Sequence, residues 1–234
     1  AFGADREKVL INGNLKFDRL SSDVQEESRA EIANLLQLSG DEKIWVAGST
    51  KKGEEELLLQ AFLKVKSEFP NLYLIIAPRE IHRGDEIGDI IKQYGYTPLL
   101  RTAISTTTEV TPNTIIILNT FGELFKVYSL ATITFCGKSL VQLGGQNPLE
   151  PAFWGKPVLY GPSMENFLDA TGLLEEVGAG IPVKDSEELG AKIITLLLDE
   201  VTLNQRGQAG KEMLQKQQGS SARTLMIVNR LLSE

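Results

Sequence analysis

The residues best suited to chemistry lie between Leu143 and Asn166, LGGQNPLEPAFWGKPVLYGPSMEN. Gly144 and Gly145 let the backbone turn sharply and let a ligand approach with no Cβ in the way. Asn147 suits a helix N-cap, Pro148 the first helical position, and Glu150 falls three residues after the cap. A helix starting there aims unpaired N–H groups into the glycine loop, and such an end attracts phosphate or carboxylate. The same Asn147–Glu150 spacing is also that of a capping box, which serves helix stability alone. Lys156-Pro157 closes this helix, PVLY (157–160) enters a buried strand, and GPSMEN (161–166) emerges as a second loop at the same end of a sheet.

Elements on both sides must position that stretch. Strand-like runs at 44–49, 72–78, 98–101, 114–119, 132–137 and 180–183 alternate with helical patterns at 54–69, 85–94, 123–130, 186–198, 203–218 and 221–232. A further helix is expected over 21–38, capped by Ser22, and a short strand at 8–11. LYLIIAP is a continuous apolar run, as expected of a strand covered on both faces. About six strands alternating with helices predict an α/β fold with a doubly wound parallel sheet, Rossmann-like in layout. Ligands of such sheets sit at the carboxyl ends of the strands. That rule selects Gly48-Ser49-Thr50, Pro78-Arg79, Asn119 to Glu123, Gly137-Lys138-Ser139 and the signature loop, because all follow a strand.

Each candidate has a structural alternative. Ser49 and Thr50 either bind a ligand or cap and turn. Arg79 either forks onto a phosphate or carboxylate or pairs with Glu80 or Asp85 on the surface. The amides of Gly122, Glu123 and Leu124 can meet a base or phosphate, and Phe121 packs beside a base or into the core. Lys138 and Lys156 either add positive potential or are solvated. His82 reads as a loop residue.

Bulk properties narrow the classes. Hydrophobic residues make up 42% and charged residues 24% of 234, ordinary for a globular chain of one large or two small domains. A net charge of -7 argues against a general nucleic-acid binder. One Cys, Cys136, and one His, His82, exclude an internal disulfide and a His/Cys zinc site. No run approaches the roughly 18 apolar residues needed to cross a bilayer. The N-terminus lacks the pattern of a signal peptide and begins as a piece of a longer protein would.

The signature resembles the C-terminal-domain pattern of the Kdo transferases, GG-(H)-NPLEPA-x-x-GKPVL-x-GP-x-x-x-NF. It matches from Gly144 and Gly145 through Asn147 to Ala152, Gly155 to Leu159, Gly161, Pro162, Asn166 and Phe167, and departs at Gln146, where the pattern has His. A glutamine hydrogen-bonds but does not titrate. Three further segments are similar. GNLKFD (13–18) is shared outright. AGSTKKGEE has Lys51 and APREIHR has Glu80 where the family has His, with Arg83 on the later Arg of the second motif. FGEL (121–124) resembles the family's T-x-GEL.

The resemblance implies the C-terminal, donor-binding domain of a GT-B glycosyltransferase. Residues 1–20 would be the end of an N-terminal domain and its linker, 21–218 the nucleotide-sugar domain, and 219–234 a C-terminal helix. It implies an inverting, metal-independent transfer of 3-deoxy-D-manno-octulosonic acid from CMP-Kdo to a lipid A precursor in lipopolysaccharide biosynthesis, with no cofactor. Ser49, Thr50, Pro78, Arg79, Phe121, Gly122, Glu123, Leu124, Gly144, Gly145, Gln146, Asn147 and Glu150 would bind the donor, Glu150 accepting from ribose hydroxyls or acting only in its capping box. The general base, the acceptor site and membrane association would belong to an N-terminal half outside this chain. The fragment is therefore expected to be soluble, to bind nucleotide weakly and to be inactive alone, its parent lying at the cytoplasmic face of the bacterial inner membrane. Two other classes remain open: a UDP-sugar transferase or UDP-GlcNAc 2-epimerase of the same fold, and a non-catalytic α/β interaction domain. An NAD-binding fold is disfavoured, since no GxGxxG follows the first strand.

Overall fold

The computed structural model describes residues 26–233 together with Gly3, Val9 and Asp18. The expected strand at 8–11, the GNLKFD segment and the Ser22 cap lie outside the described residues, apart from Val9 and Asp18. Among the described residues, seven strands form one sheet: β1 Ile44–Thr50, β2 Tyr73–Pro78, β3 Thr97–Leu100, β4 Thr114–Ile117, β5 Ile133–Cys136, β6 Val158–Tyr160 and β7 Gly180–Pro182. Every pairing is parallel, in the order β3-β4-β2-β1-β5-β6-β7. The strand expected at 98–101 is β3, at one edge of the sheet.

Helices cover both faces: α1 Glu26–Leu35, α2 Glu54–Glu68, α3 Gly84–Gln93, α4 Leu124–Val127, α5 Leu149–Phe153, α6 Leu168–Glu176, α7 Ser186–Leu198, α8 Glu200–Gln217 and α9 Ser220–Ser233. The side-chain alternation of the strands sorts the core into layers. Trp45, Ala47, Leu74, Ile76, Ile115 and Ile117 face α2, α3 and α7 through Phe62, Ile87 and Leu189. Ile44, Val46, Ile75 and Ile116 face α1 through Ile32 and Leu36. Val158 and Tyr160 meet Leu149, Leu174 and Leu214 from α5, α6 and α8. Strands so covered on both faces must be apolar throughout, which is why LYLIIAP shows no polar alternation.

The sequence pattern differs from the structure in three helices. The helix expected over 123–130 is one α-turn, α4, followed by a 3-10 turn over Tyr128–Leu130. The signature helix is the five-residue α5. Helix α6 was not expected: Gly172 interrupts its pattern, and Ala170, Thr171 and Leu174 alone give it a buried face. At the far end, the Asp18 carboxylate accepts from the Gly219 N–H at 2.7 Å and from the Ser221 N–H, tying residue 18 to the start of α9. Helix α9 exposes Leu225, Met226, Leu231 and Leu232.

Candidate functional site

The strand order reverses at β1. The chain builds outward from β1 to the β3 edge, then returns to lay β5 on the other side of β1. Loops leaving β1 and β5 therefore diverge, and a crevice opens at their carboxyl ends. A cleft of about 710 Å³ lies there. Its wall carries Ser49, Pro78, Arg79, Phe121, Gly122, Leu124, Gln146, Asn147 and Glu150, all expected from the sequence. It also carries Phe125, Tyr128 and Phe167, which the sequence reading did not single out as site residues.

Arg79 leaves the end of β2, held there by its N–H donating to the Thr50 carbonyl at 2.9 Å. Its side chain is exposed and takes part in none of the ion pairs among the described residues, so the surface pairing with Glu80 or Asp85 does not form. Glu80 instead pairs with Lys51 at 3.0 Å, joining two of the three positions at which this sequence has another residue in place of the pattern's His. Phe121, 87% exposed, stands at the rim. The Thr120–Glu123 turn below it is pinned: Glu123 pairs with Arg101 at 3.1 Å and accepts from the Thr120 hydroxyl at 2.5 Å. On the opposite wall, the Asn147 Oδ1 accepts from the Leu149 N–H at 3.2 Å and its Nδ2 donates to Glu150 at 3.4 Å. Helix α5 begins at Leu149 with Pro148 at its N-cap, so Asn147, the expected cap, stands one residue before that position and bonds the first helical N–H from outside the helix, while Glu150 bonds the Asn147 side chain rather than closing a capping box. Tyr128 floors the cleft; burial pushes its phenol well up, so it stays protonated.

Four expected residues are not on the wall. Thr50 is fully buried and donates to Glu55 at 2.9 Å, so its hydroxyl is committed to the fold. Glu123 carries the Arg101 pair, its side chain turned to the loop's own support. Gly144 and Gly145 are buried, with φ of 84° and 73°. A Cβ on Gly144 would lie 2.1 Å from Asn166 Nδ2, and one on Gly145 2.3 Å from Met164 Sδ. These glycines let the signature loop and the 161–166 loop touch; the space a Cβ would fill belongs to the protein itself. Lys156 is not near the cleft either: it precedes β6 at the opposite end of the sheet.

The sequence reading did not recognise what Glu54 and Glu55 do. The Glu54 carboxylate accepts N–H bonds from Lys51 at 2.9 Å, Lys138 at 2.5 Å, Ser139 at 2.8 Å and Leu140 at 2.9 Å. Burial pushes its carboxyl above the usual value, while those four donors pull the other way. The same residue thereby staples the loop after β1 to the loop after β5; nearby, Ser49, at the register shift near the end of β1, and Lys138, just after β5, hold φ of 57° and 62°. Glu55 forks onto Arg83 at 2.9 and 3.2 Å, with both side chains buried. Acidic residues opening a helix ordinarily serve its dipole from the surface; the depth of burial is what sets Glu54 and Glu55 apart. Among the described residues, no group of three or more His, Cys, Asp or Glu is placed to hold a metal ion.

Comparison with known proteins gives the relationship. No family model matches the chain. The 3-deoxy-D-manno-octulosonic acid transferase of Haemophilus influenzae is 33% identical over 229 residues, which is 97% of this chain and 52% of that protein. The enzyme of the same name from Aquifex aeolicus is 34% identical over 196 residues, 84% of this chain and 49% of that one. The chain spans about half the length of the curated relatives it matches. Among solved structures, the C-terminal CMP-Kdo binding domain of WaaA from Acinetobacter baumannii superposes with a TM-score of 0.72 at 23% identity, covering 81% of this chain and 97% of that one. This chain is thus related over nearly its whole length to about half of a 3-deoxy-D-manno-octulosonic acid (Kdo) transferase, and it has the fold of a GT-B glycosyltransferase C-terminal domain.

Proposed function

We propose that this chain is the donor half of a Kdo transferase and that its cleft binds CMP-Kdo. The observation that carries the proposal is the meeting of an unpaired Arg79, a rim aromatic at Phe121 and the Asn147–Glu150 pair around one cleft at the switch point. A CMP-sugar acid bears one phosphate and one carboxylate, and a fork-shaped guanidinium suits either. Phe121 offers its face to the base, the N–H groups of Gly122 and Leu124 lie at the same edge, and Glu150 with Asn147 suits ribose hydroxyls. Gln146 and Ser49 add neutral hydrogen-bonding groups.

In the reaction so proposed, a hydroxyl of the lipid A precursor attacks the anomeric carbon of Kdo as CMP departs. Arg79 then offsets the charge gathering on the leaving phosphate. A general base must take the hydroxyl proton. Glu150, the carboxylate on the described cleft wall, bonds Asn147 and is assigned to the ribose, so proton removal is not assigned to it. We assign no metal or cofactor to the step, and we place the parent enzyme at the cytoplasmic face of the inner membrane, where its lipid acceptor would lie.

An NMR titration with CMP, using UDP as control, tests the reading. Saturable CMP shifts at the amides of Gly122 and Gln146, weakened about tenfold or more in Arg79→Gln, are expected. Preference for UDP would move the chain to a UDP-sugar class, and silence toward both nucleotides would leave the donor assignment without support.

A further inference from the structure

We propose that a second pocket, at the end of the sheet opposite the cleft, binds a small phosphate-class oxyanion through Lys156 and Arg29. The pocket encloses about 330 Å³ at the amino ends of β1, β5 and β6, and its lining includes Arg29, Lys43, Thr132, Lys156 and Asn204. Lys156 is half-buried, and while its backbone N–H donates to the Pro151 carbonyl at 3.2 Å, its ammonium makes no ion pair or hydrogen bond among the described residues. Its surroundings deepen the imbalance. A Cβ on Gly155 would lie 3.8 Å from Lys211 Cδ, so a second ammonium stem runs alongside.

The charged groups facing Lys156 come from three elements. Arg29 on α1 spends one N–H on the Gly40 carbonyl at 3.0 Å and has others left. Before β1, Glu42 is held back by the N–H groups of Ser39 and Gly40, both at 2.8 Å, and Lys43 is paired with Glu200 of α8. Asp41 is the remaining carboxylate of the lining, and it is exposed. Lys211 on α8 adds positive charge. Burial first, then Arg29 and Lys211, lower the Lys156 ammonium from the ordinary 10.5 to about 8. A partly buried cation facing like charges, with hydroxyl and amide donors from Thr132 and Asn204 beside it, is complementary to an anion.

Calorimetric titration of the 234-residue chain with inorganic phosphate at pH 7 tests this. Saturable binding is expected, with amide shifts at Thr132 and Gly155 rather than at Gly122. Affinity should fall about tenfold or more in Lys156→Gln, recover in Lys156→Arg, fall in Arg29→Gln and rise in Asp41→Asn. Arg79→Gln should leave it unchanged. Sulfate, whose charge is constant over the range, should bind progressively less well as pH rises through 8, because Lys156 loses the proton that attracts it. Absence of saturable binding overturns the proposal. So does undiminished affinity in a folded Lys156→Gln chain, or a phosphate response confined to Gly122 and Gln146.

Discussion

Neighbouring residues in this chain divide sharply between binding and scaffolding, and burial decides which is which. Ser49 lines the cleft while Thr50, one residue on, is sealed beneath it; Arg79 is open while Arg83 is locked between Glu55 and Glu86. The sequence shows hydroxyls and guanidinia after strands but not their depth. Arg79 was legible because a strand end in a parallel sheet faces the ligand edge. The buried roles of Thr50 and Glu55 were not, because Glu55, which accepts from the Thr50 hydroxyl, is held in place by a contact with Arg83 across 28 residues. Removing one partner of that buried pair leaves an uncompensated charge. Arg83→Met should therefore cost about 3–5 kcal/mol of folding stability by urea denaturation, and Glu55→Gln combined with Arg83→Met should recover a large part of it. If Arg83→Met alone costs less than about 1 kcal/mol, the pair behaves as an ordinary surface bridge and the buried reading fails.

At the scale of elements, long periodic helices were legible and short ones were not. Helices α2 and α7 match their expected limits to within a residue because each carries three or more turns of apolar spacing. Helix α5 is the short helix expected there, but it ends at Phe153 rather than at Lys156-Pro157, since Pro151 and Gly155 leave room for little more than one turn. Its anchor is tertiary: a Cβ on Gly207 of α8 would come within 1.9 Å of the Gly155 carbonyl oxygen, so α8 seats directly on the turn ending α5. Gly207→Ala should force the two apart and cost about 1–3 kcal/mol. Gly172 in α6 is the opposite case, exposed with nothing within 4 Å of an added Cβ. Gly172→Ala should stabilise the chain by about 0.5–1 kcal/mol through helix propensity alone. Paired melting curves check both signs, and equal effects at the two positions would show that contact with α8 is not what sets α5.

For the whole molecule, the sheet separates two charge environments. The carboxyl edge holds the Glu54 nest and the open Arg79, and the amino edge holds Lys156 beside the like charges of Arg29 and Lys211. The alternation of strands and helices made the first edge legible, because the parallel order fixes where loops with free backbone groups collect. The second edge was invisible, since Lys156 reads in sequence as part of the signature and lands at the far end only because it precedes β6 rather than follows it. That placement has a consequence for global stability. The Lys156 ammonium sits at about 8 in the folded chain against 10.5 when exposed, so between those values the unfolded chain binds more protons than the folded one. Stability must then rise with pH across that window. The gain traceable to this lysine should reach about 1–3 kcal/mol, measured as the difference between the wild type and Lys156→Met in urea melts at pH 7.5 and pH 9.5. Using the difference removes the tyrosines, whose raised values act with the opposite sign toward higher pH. A wild type that loses ground to Lys156→Met over that interval would mean the ammonium is neutralised in the fold, and an anion already held there from solution would be the first thing to look for.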